Sequence, residues 1–179
     1  MGYGILTGNE IRSEVERGII NILPFTESQV NEASYDLCLG GEIIEYAVKD
    51  IDTLGVAETK HKLSYGDSIV ISPGSSYLMH TVERIHTENY VGVLNGKSSL
   101  GRLFVMVHCT AGYIYPGFDG QYTLEVSCAF FTRLVIGMRI AQVHFHTVAG
   151  LPVSYKNKGH YVGDRSKGAI PSVLKGYWL

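Results

Sequence analysis

Charge is the first thing this chain is short of. Only 18% of its 179 residues are charged, and the formal net charge is -2 at pH 7. Non-specific binding to DNA or RNA comes from cations that neutralise phosphates, so a chain with no basic surplus is not expected to partner a nucleic acid polymer. Cysteine is scarce too. Cys38, Cys109 and Cys128 are far apart, odd in number and form no C-x-x-C pair, which argues against a disulfide framework and a sequence-evident zinc site and fits a reducing cytoplasm. No apolar run approaches the roughly 18 residues of a membrane-spanning helix, and residues 1–5 lack the layout of a signal peptide. Repeats and low-complexity segments are missing as well. The expectation is a soluble cytoplasmic protein with no membrane partner.

At this length one domain, residues 1–179, can bury a core without metals or disulfides. Thr7 with Glu10 three residues later is a capping-box pattern, Ile11 and Val15 recur at helical spacing, and Gly18 offers a stop. That predicts one short N-terminal helix. Beyond it, short β-branched or aromatic runs are divided by Gly, Pro, Asp and Ser: 35–39, 41–48, 68–72, 76–82, 90–94, 103–109, 121–131 and 138–147. Many short strands and one early helix predict a mainly β fold, a sandwich, jelly roll or barrel. Segment 51–62, mixed in charge and without period, reads as a surface connection. The tail, 154–179, carries Lys156, Lys158, His160, Arg165, Lys167 and Lys175 among Gly and Tyr, the composition either of a solvated terminus or of a flap that closes over an anionic ligand.

Chemistry concentrates in 96–125. Lys97, Ser98, Ser99 and Arg102 gather two cations and two hydroxyls in six residues beside Gly96 and Gly101, which let the backbone approach a ligand; phosphate is the natural guest. The segment is not a Walker A loop, because the G-x-x-x-x-G-K-[ST] spacing and a parallel α/β context are both missing. In Tyr122-Thr123-Leu124-Glu125-Val126, strand alternation puts Glu125 on the face of Thr123 and opposite Leu124 and Val126. Lining a pocket, that carboxylate would suit proton shuttling. His144 and His146 share a strand face, but no third metal ligand accompanies them, and His108-Cys109 reads as core. The zinc-deaminase signature, H-x-E followed by P-C-x-x-C, is also missing, so no metal-binding residue is assigned and any deamination would be metal-free at the chemical step.

Taken together, 96–142 resembles the dCTP deaminase and dUTPase superfamily, more closely its deaminase branch. The likeness rests on Lys97, Ser98-Ser99 and Arg102, on Thr110-Ala111, on the hairpin ending Pro116-Gly117-Phe118, and on Leu124-Glu125. It extends to Ile5-Leu6-Thr7 at the family's opening helix, to Ala33 through Gly40 at its early strand, and to the tail from Tyr155 at its closing flap. The resemblance implies a distorted jelly-roll, β-barrel-like fold of the dUTPase type and a homotrimer with active sites at subunit interfaces. It also implies a deoxynucleoside triphosphate substrate, with Mg²⁺ carried on the triphosphate. It assigns Glu125 as the group that activates a water to attack C4 of cytosine, Ser98 and the Ala111 backbone as the holders of that water, and Arg102 as the residue that orients the glutamate. Lys97 and Ser99 would contact phosphates, and Gly112, Tyr113, Tyr115, Gln142, Tyr155, His160 and Asp164 fall among the substrate-binding positions.

Two departures stand out. Both branches usually carry an aspartate at the position of Tyr115, where it contacts the sugar and, in enzymes that hydrolyse dUTP, helps activate water; a phenol is a poor general base at neutral pH. The flap has Asp164 where the family has a glutamine, and an ionised acid cannot donate a hydrogen bond. The first reading is therefore zinc-independent hydrolytic deamination of dCTP to dUTP and ammonia. A dUTPase-like pyrophosphohydrolase or bifunctional deaminase-dUTPase is an alternative, favoured by Ala111-Gly112-Tyr113-Ile114 and opposed by Tyr115. A catalytically silent nucleotide-binding trimer is another.

Overall fold

The computed structural model describes residues 4–46, 59–64, 66–157 and 159–172. Helix α1 (Gly8–Glu16) starts where the capping pattern predicts, with Thr7 Oγ1 accepting from the Glu10 amide at 3.3 Å. Ile11 anchors it in the core, and Gly18, at φ 71°, turns the chain away.

The strands that follow are β1 (Asn21–Leu23), β2 (Tyr35–Cys38), β3 (Glu42–Tyr46), β4 (Thr59–Ser64), β5 (Ser68–Ile71) and β6 (Ser76–His86). After β7 (Tyr90–Gly96) comes a single helical turn, α2 (Ser98–Gly101). Then come β8 (Val105–Met106), β9 (Tyr113–Ile114), β10 (Asp119–Cys128), β11 (Thr132–Val135) and β12 (Arg139–Thr147). One sheet has the order β4-β3-β6-β10-β8, with β1 also on β6; a second has the order β2-β12-β7-β9; β5 and β11 make a two-stranded ribbon. All pairings among the described residues are antiparallel. Leu124 and Val126 from β10 and Val143 and Phe145 from β12 are fully buried in one core that both sheets share, which is how period-two sequences bury one face of each sheet. The fold is mainly β with one short helix, as the strand-rich pattern predicts. Among the described residues no helix is long and apolar enough to cross a membrane.

Several boundaries differ from the sequence reading. The stretch 103–109 holds only the two-residue β8, because Leu103 and Phe104 close the turn after α2 and Phe104 takes a left-handed φ of 56°. Segment 121–131 divides at Ala129 to Phe131, and β11 starts a separate ribbon at Thr132. Strand β6 runs on to His86 past Glu83, a buried acid that accepts from the Gln29 side chain at 2.7 Å and from the Cys38 amide at 2.9 Å. Residues 59–62, expected in a surface connection, belong to β4 and pair with β3. Backbone pairing needs no hydrophobic period, and that is why the sequence hid them. The remainder of that connection, 51–58, lies outside the described residues, as do 47–48.

Candidate functional site

Strand β10 carries the centre of the site. Its burial alternates along its whole length, with Tyr122, Leu124, Val126 and Cys128 in the core and Gln121, Thr123, Glu125 and Ser127 on the opposite, half-buried face. That face lines a cavity of about 750 Å³, a size typical of small-molecule sites. The Glu125 carboxylate is tethered there: its Oε2 accepts from the Cys109 backbone amide at 2.8 Å. A carboxylate fixed through one oxygen keeps lone pairs with which to hold a water.

The loop that supplies the amide joins β8 to β9. Ala111, Tyr113 and Tyr115 from this loop and strand line the same cavity, and Tyr155 and His160 reach it from the tail. The tail is held by specific contacts. Tyr155 donates its amide to Pro116 O at 2.7 Å and accepts from Gly159 N at 2.7 Å. Its ring stacks on Tyr115 with centroids 6.3 Å apart at 16° and meets Phe118 edge-on at 5.9 Å. Gly117, at φ 85°, makes the turn, and a Cβ there would lie 2.1 Å from Ser154 Oγ, so only glycine lets the tail lie this close. Lys156 Nζ lies 2.9 Å from Glu88 and holds that carboxyl below its usual value despite partial desolvation.

The cation-rich segment sits elsewhere. Leu100 buries one side of α2, while Ser98, Ser99 and Arg102 are exposed and none of them lines the cavity. Lys97 pairs with Asp36, a buried carboxylate that also accepts from Asn31 Nδ2 at 2.7 Å and from Arg139 Nη1 at 3.4 Å. Gln142, on β12, braces the same region: it accepts from Ser34 Oγ at 2.8 Å and donates to Gly96 O at 3.1 Å. Gly112 is packed against β7, its carbonyl accepting from the Leu94 amide at 2.7 Å. Asp164 falls in the short helical turn Gly163–Ser166. Within one chain the expected site residues thus form two groups. Glu125, Ala111, Tyr113, Tyr115, Tyr155 and His160 surround the cavity; Lys97, Ser98, Ser99, Arg102, Gly112 and Gln142 lie off it.

Sequence reasoning missed the Cys109 amide and the places of Gln121 and Thr123 on the cavity wall, although strand alternation from Glu125 carried a signal for the last two. Cys109, read with His108 as core, is exposed and lines the cavity; Cys128 is the buried thiol. His144 uses Nδ1 on Ala33 O at 2.9 Å. Among the described residues no group of three His, Cys, Asp or Glu side chains converges.

A family model described as dCTP deaminase-like matches residues 5–148. A dCTP deaminase, dUMP-forming, of Clostridium acetobutylicum is 38% identical over 170 residues, covering 95% of this chain and 96% of the relative. A protein of the same description from Cytophaga hutchinsonii is 35% identical over the same length, with the same shares covered. Among solved structures, the 2'-deoxycytidine 5'-triphosphate deaminase of Agrobacterium tumefaciens shares the fold, with a TM-score of 0.66 at 23% identity over 83% of this chain. This chain spans about half of that one, 49%.

Proposed function

This chain belongs to the dCTP deaminase-like family, and on that premise we propose that it is a hydrolase that replaces the 4-amino group of a deoxycytidine nucleotide with oxygen, releasing ammonia. The observation that carries the reading is Glu125, tethered by the Cys109 amide on the polar face of β10 inside a nucleotide-sized cavity. Water addition to C4 needs a base, and departure of ammonia needs an acid; one positioned carboxylate serves both in turn. Glu125 takes a proton from water as its oxygen bonds to C4, passes protons to the ring nitrogen and the amino group, and the C–N bond breaks to give ammonia and a uracil base. In this mechanism the water is activated by Glu125 and not by zinc.

Ser98 and Arg102 would reach such a carboxylate from another copy of the chain. What supports a homotrimer with shared sites is that both are exposed and lie off their own chain's cavity, beside an exposed apolar surface. That surface comprises Leu103, Phe104, Met106, Phe130 and Phe131, with the Phe104 and Phe130 rings 6.0 Å apart. Lys97 and Ser99 would take phosphates from the same segment. The carboxylate beside it, Asp36, is already shared by Lys97, Asn31 and Arg139. With Asp36 so engaged, Mg²⁺ would be held by the substrate's own phosphate oxygens, where it would offset their charge.

The proposed product is dUTP. Among the described cavity-lining residues Glu125 is the one carboxylate, and a phenol, Tyr115, stands where a second would assist phosphate hydrolysis. A second reading, conversion through to dUMP, is favoured by relatives described as dUMP-forming at 34 to 38% identity. Incubating the protein with dCTP in the presence and absence of a zinc chelator, and following ammonia and pyrophosphate separately, tests both. Ammonia without pyrophosphate, insensitive to the chelator, is expected; equimolar pyrophosphate would establish the second reading, and dCTP binding without ammonia would leave only a binding protein.

A further inference from the structure

Glu125 is the third member of a row on β10 whose first two members, Gln121 and Thr123, also line the cavity. Those two are committed to the chain's own C-terminal segment. Gln121 Oε1 accepts from the Gly168 amide at 2.8 Å, while its Nε2 is fixed by Val82 O at 3.1 Å. Thr123 Oγ1 accepts from the Ile170 amide at 3.2 Å and donates to Gly168 O at 3.4 Å. The β10–β6 register shifts between these two residues, where the Tyr122 amide turns to Thr81 Oγ1 at 3.0 Å.

The rest of the segment fits the same dock. Ala169 is buried with Ile44 and Leu78. A Cβ on Gly120 would lie 2.3 Å from Ser166 O, and one on Gly168, at φ 73°, would lie 2.2 Å from Glu42 Oε2. Gly120 is needed because its neighbour there is backbone, and Gly168 because of its left-handed φ. Held this way, the segment presents Ile170 and Ser172 to the cavity that contains Glu125. All of these contacts are made within one chain.

We propose that Gln121 and Thr123 are positioning residues, which hold segment 166–172 so that it forms one wall of the nucleotide cavity. Their side-chain polarity serves the chain's own backbone, and the substrate meets its effect through Ile170 and Ser172. The role at the site rests on the deamination reading above; the dock itself does not.

The test compares Thr123→Val, which keeps the shape and removes both hydrogen bonds, with Thr123→Ser, which keeps them. Amide hydrogen exchange over 166–172 is expected to quicken about tenfold in Thr123→Val and to stay near the parent rate in Thr123→Ser, as the loss of a typical pair of bonds implies. With dCTP as substrate, Thr123→Val should raise KM about tenfold and leave kcat within about threefold, and Thr123→Ser should restore KM. Unchanged exchange in Thr123→Val overturns the dock, and faster exchange with an unchanged KM overturns its role in the cavity. Should the parent protein release no ammonia, the deamination reading alone fails. Exchange then still decides the dock, and equilibrium binding of dCTP to the two variants decides the wall, a shared affinity overturning it.

Discussion

Glu125 Oε2 sits 2.8 Å from the backbone amide of Cys109, sixteen residues away in sequence. The contact ties β10 to the loop between β8 and β9, and it places a thiol at the cavity beside the proposed base.

That neighbour makes the site chemically addressable. The nucleophile in thiol labelling is the thiolate, and burial, followed by the Glu83 carboxylate, pushes the Cys38 thiol up to about 11; Cys128 is buried. At pH 8 one thiol per chain, Cys109, should label quickly, and dCTP should slow it. Mass mapping of the labelled peptide checks both, and rapid labelling at Cys38 would contradict the arrangement.

Asp36 offers a stability test. It is 1% exposed and faces Lys97 and Arg139. Asp36→Asn should cost about 1–3 kcal/mol of unfolding free energy, because it weakens the charge-assisted hydrogen bonds that the buried carboxylate accepts from the partly exposed Lys97 and Arg139. Adding Lys97→Met should recover part of that loss. Urea denaturation of the parent, the two single variants and the double variant measures the coupling, and additive losses would show the pair to be unimportant.

The tail has its own weak point. Gly117→Ala forces a left-handed φ of 85° on an L residue and sets a methyl group 2.1 Å from Ser154 Oγ, so the strain alone should cost about 1–2 kcal/mol. Faster proteolysis of residues 154–161, with the sheets still folded by circular dichroism, is the expected signature. Lowering pH should loosen the same tail. The Glu88 carboxyl is depressed by Lys156, so its contribution is present above the unfolded value near 4.5 and fades as pH falls through the lower folded value. Pepsin digestion at pH 3 and at pH 5 would read this, and identical tail cleavage at the two values, corrected for enzyme activity, would argue against it.

Tyr115→Asp probes the product. If the phenol is what withholds phosphate hydrolysis, an aspartate there should raise pyrophosphate release from dUTP by on the order of 10²-fold, the lower range for a general base. No gain in a folded variant would mean that the hydrolytic site lacks more than this residue.

Much of this was legible in the residues. Alternation around Glu125 located the polar face of β10 correctly, and Thr7 with Glu10 located α1, because both signals are local and periodic. Asp36 and Glu83 were not legible as buried acids: their partners come from Lys97, Arg139, Gln29 and the Cys38 amide, which only the tertiary fold brings near. The same holds for the Cys109 amide, a backbone group with no sequence signature. The separation of Ser98 and Arg102 from Glu125 was hidden for a further reason, since a motif compact in sequence need not be compact within one chain.

On the proposed mechanism, Glu125 performs the proton transfers of deamination. The most direct measurement is single-turnover ammonia release from dCTP by Glu125→Gln, a change that keeps the side chain's shape and an acceptor for the Cys109 amide while removing the base. In Glu125→Gln, dCTP should still bind and ammonia release should fall by at least about 10³-fold; release within about tenfold of the parent rate would rule out Glu125 as the proton carrier.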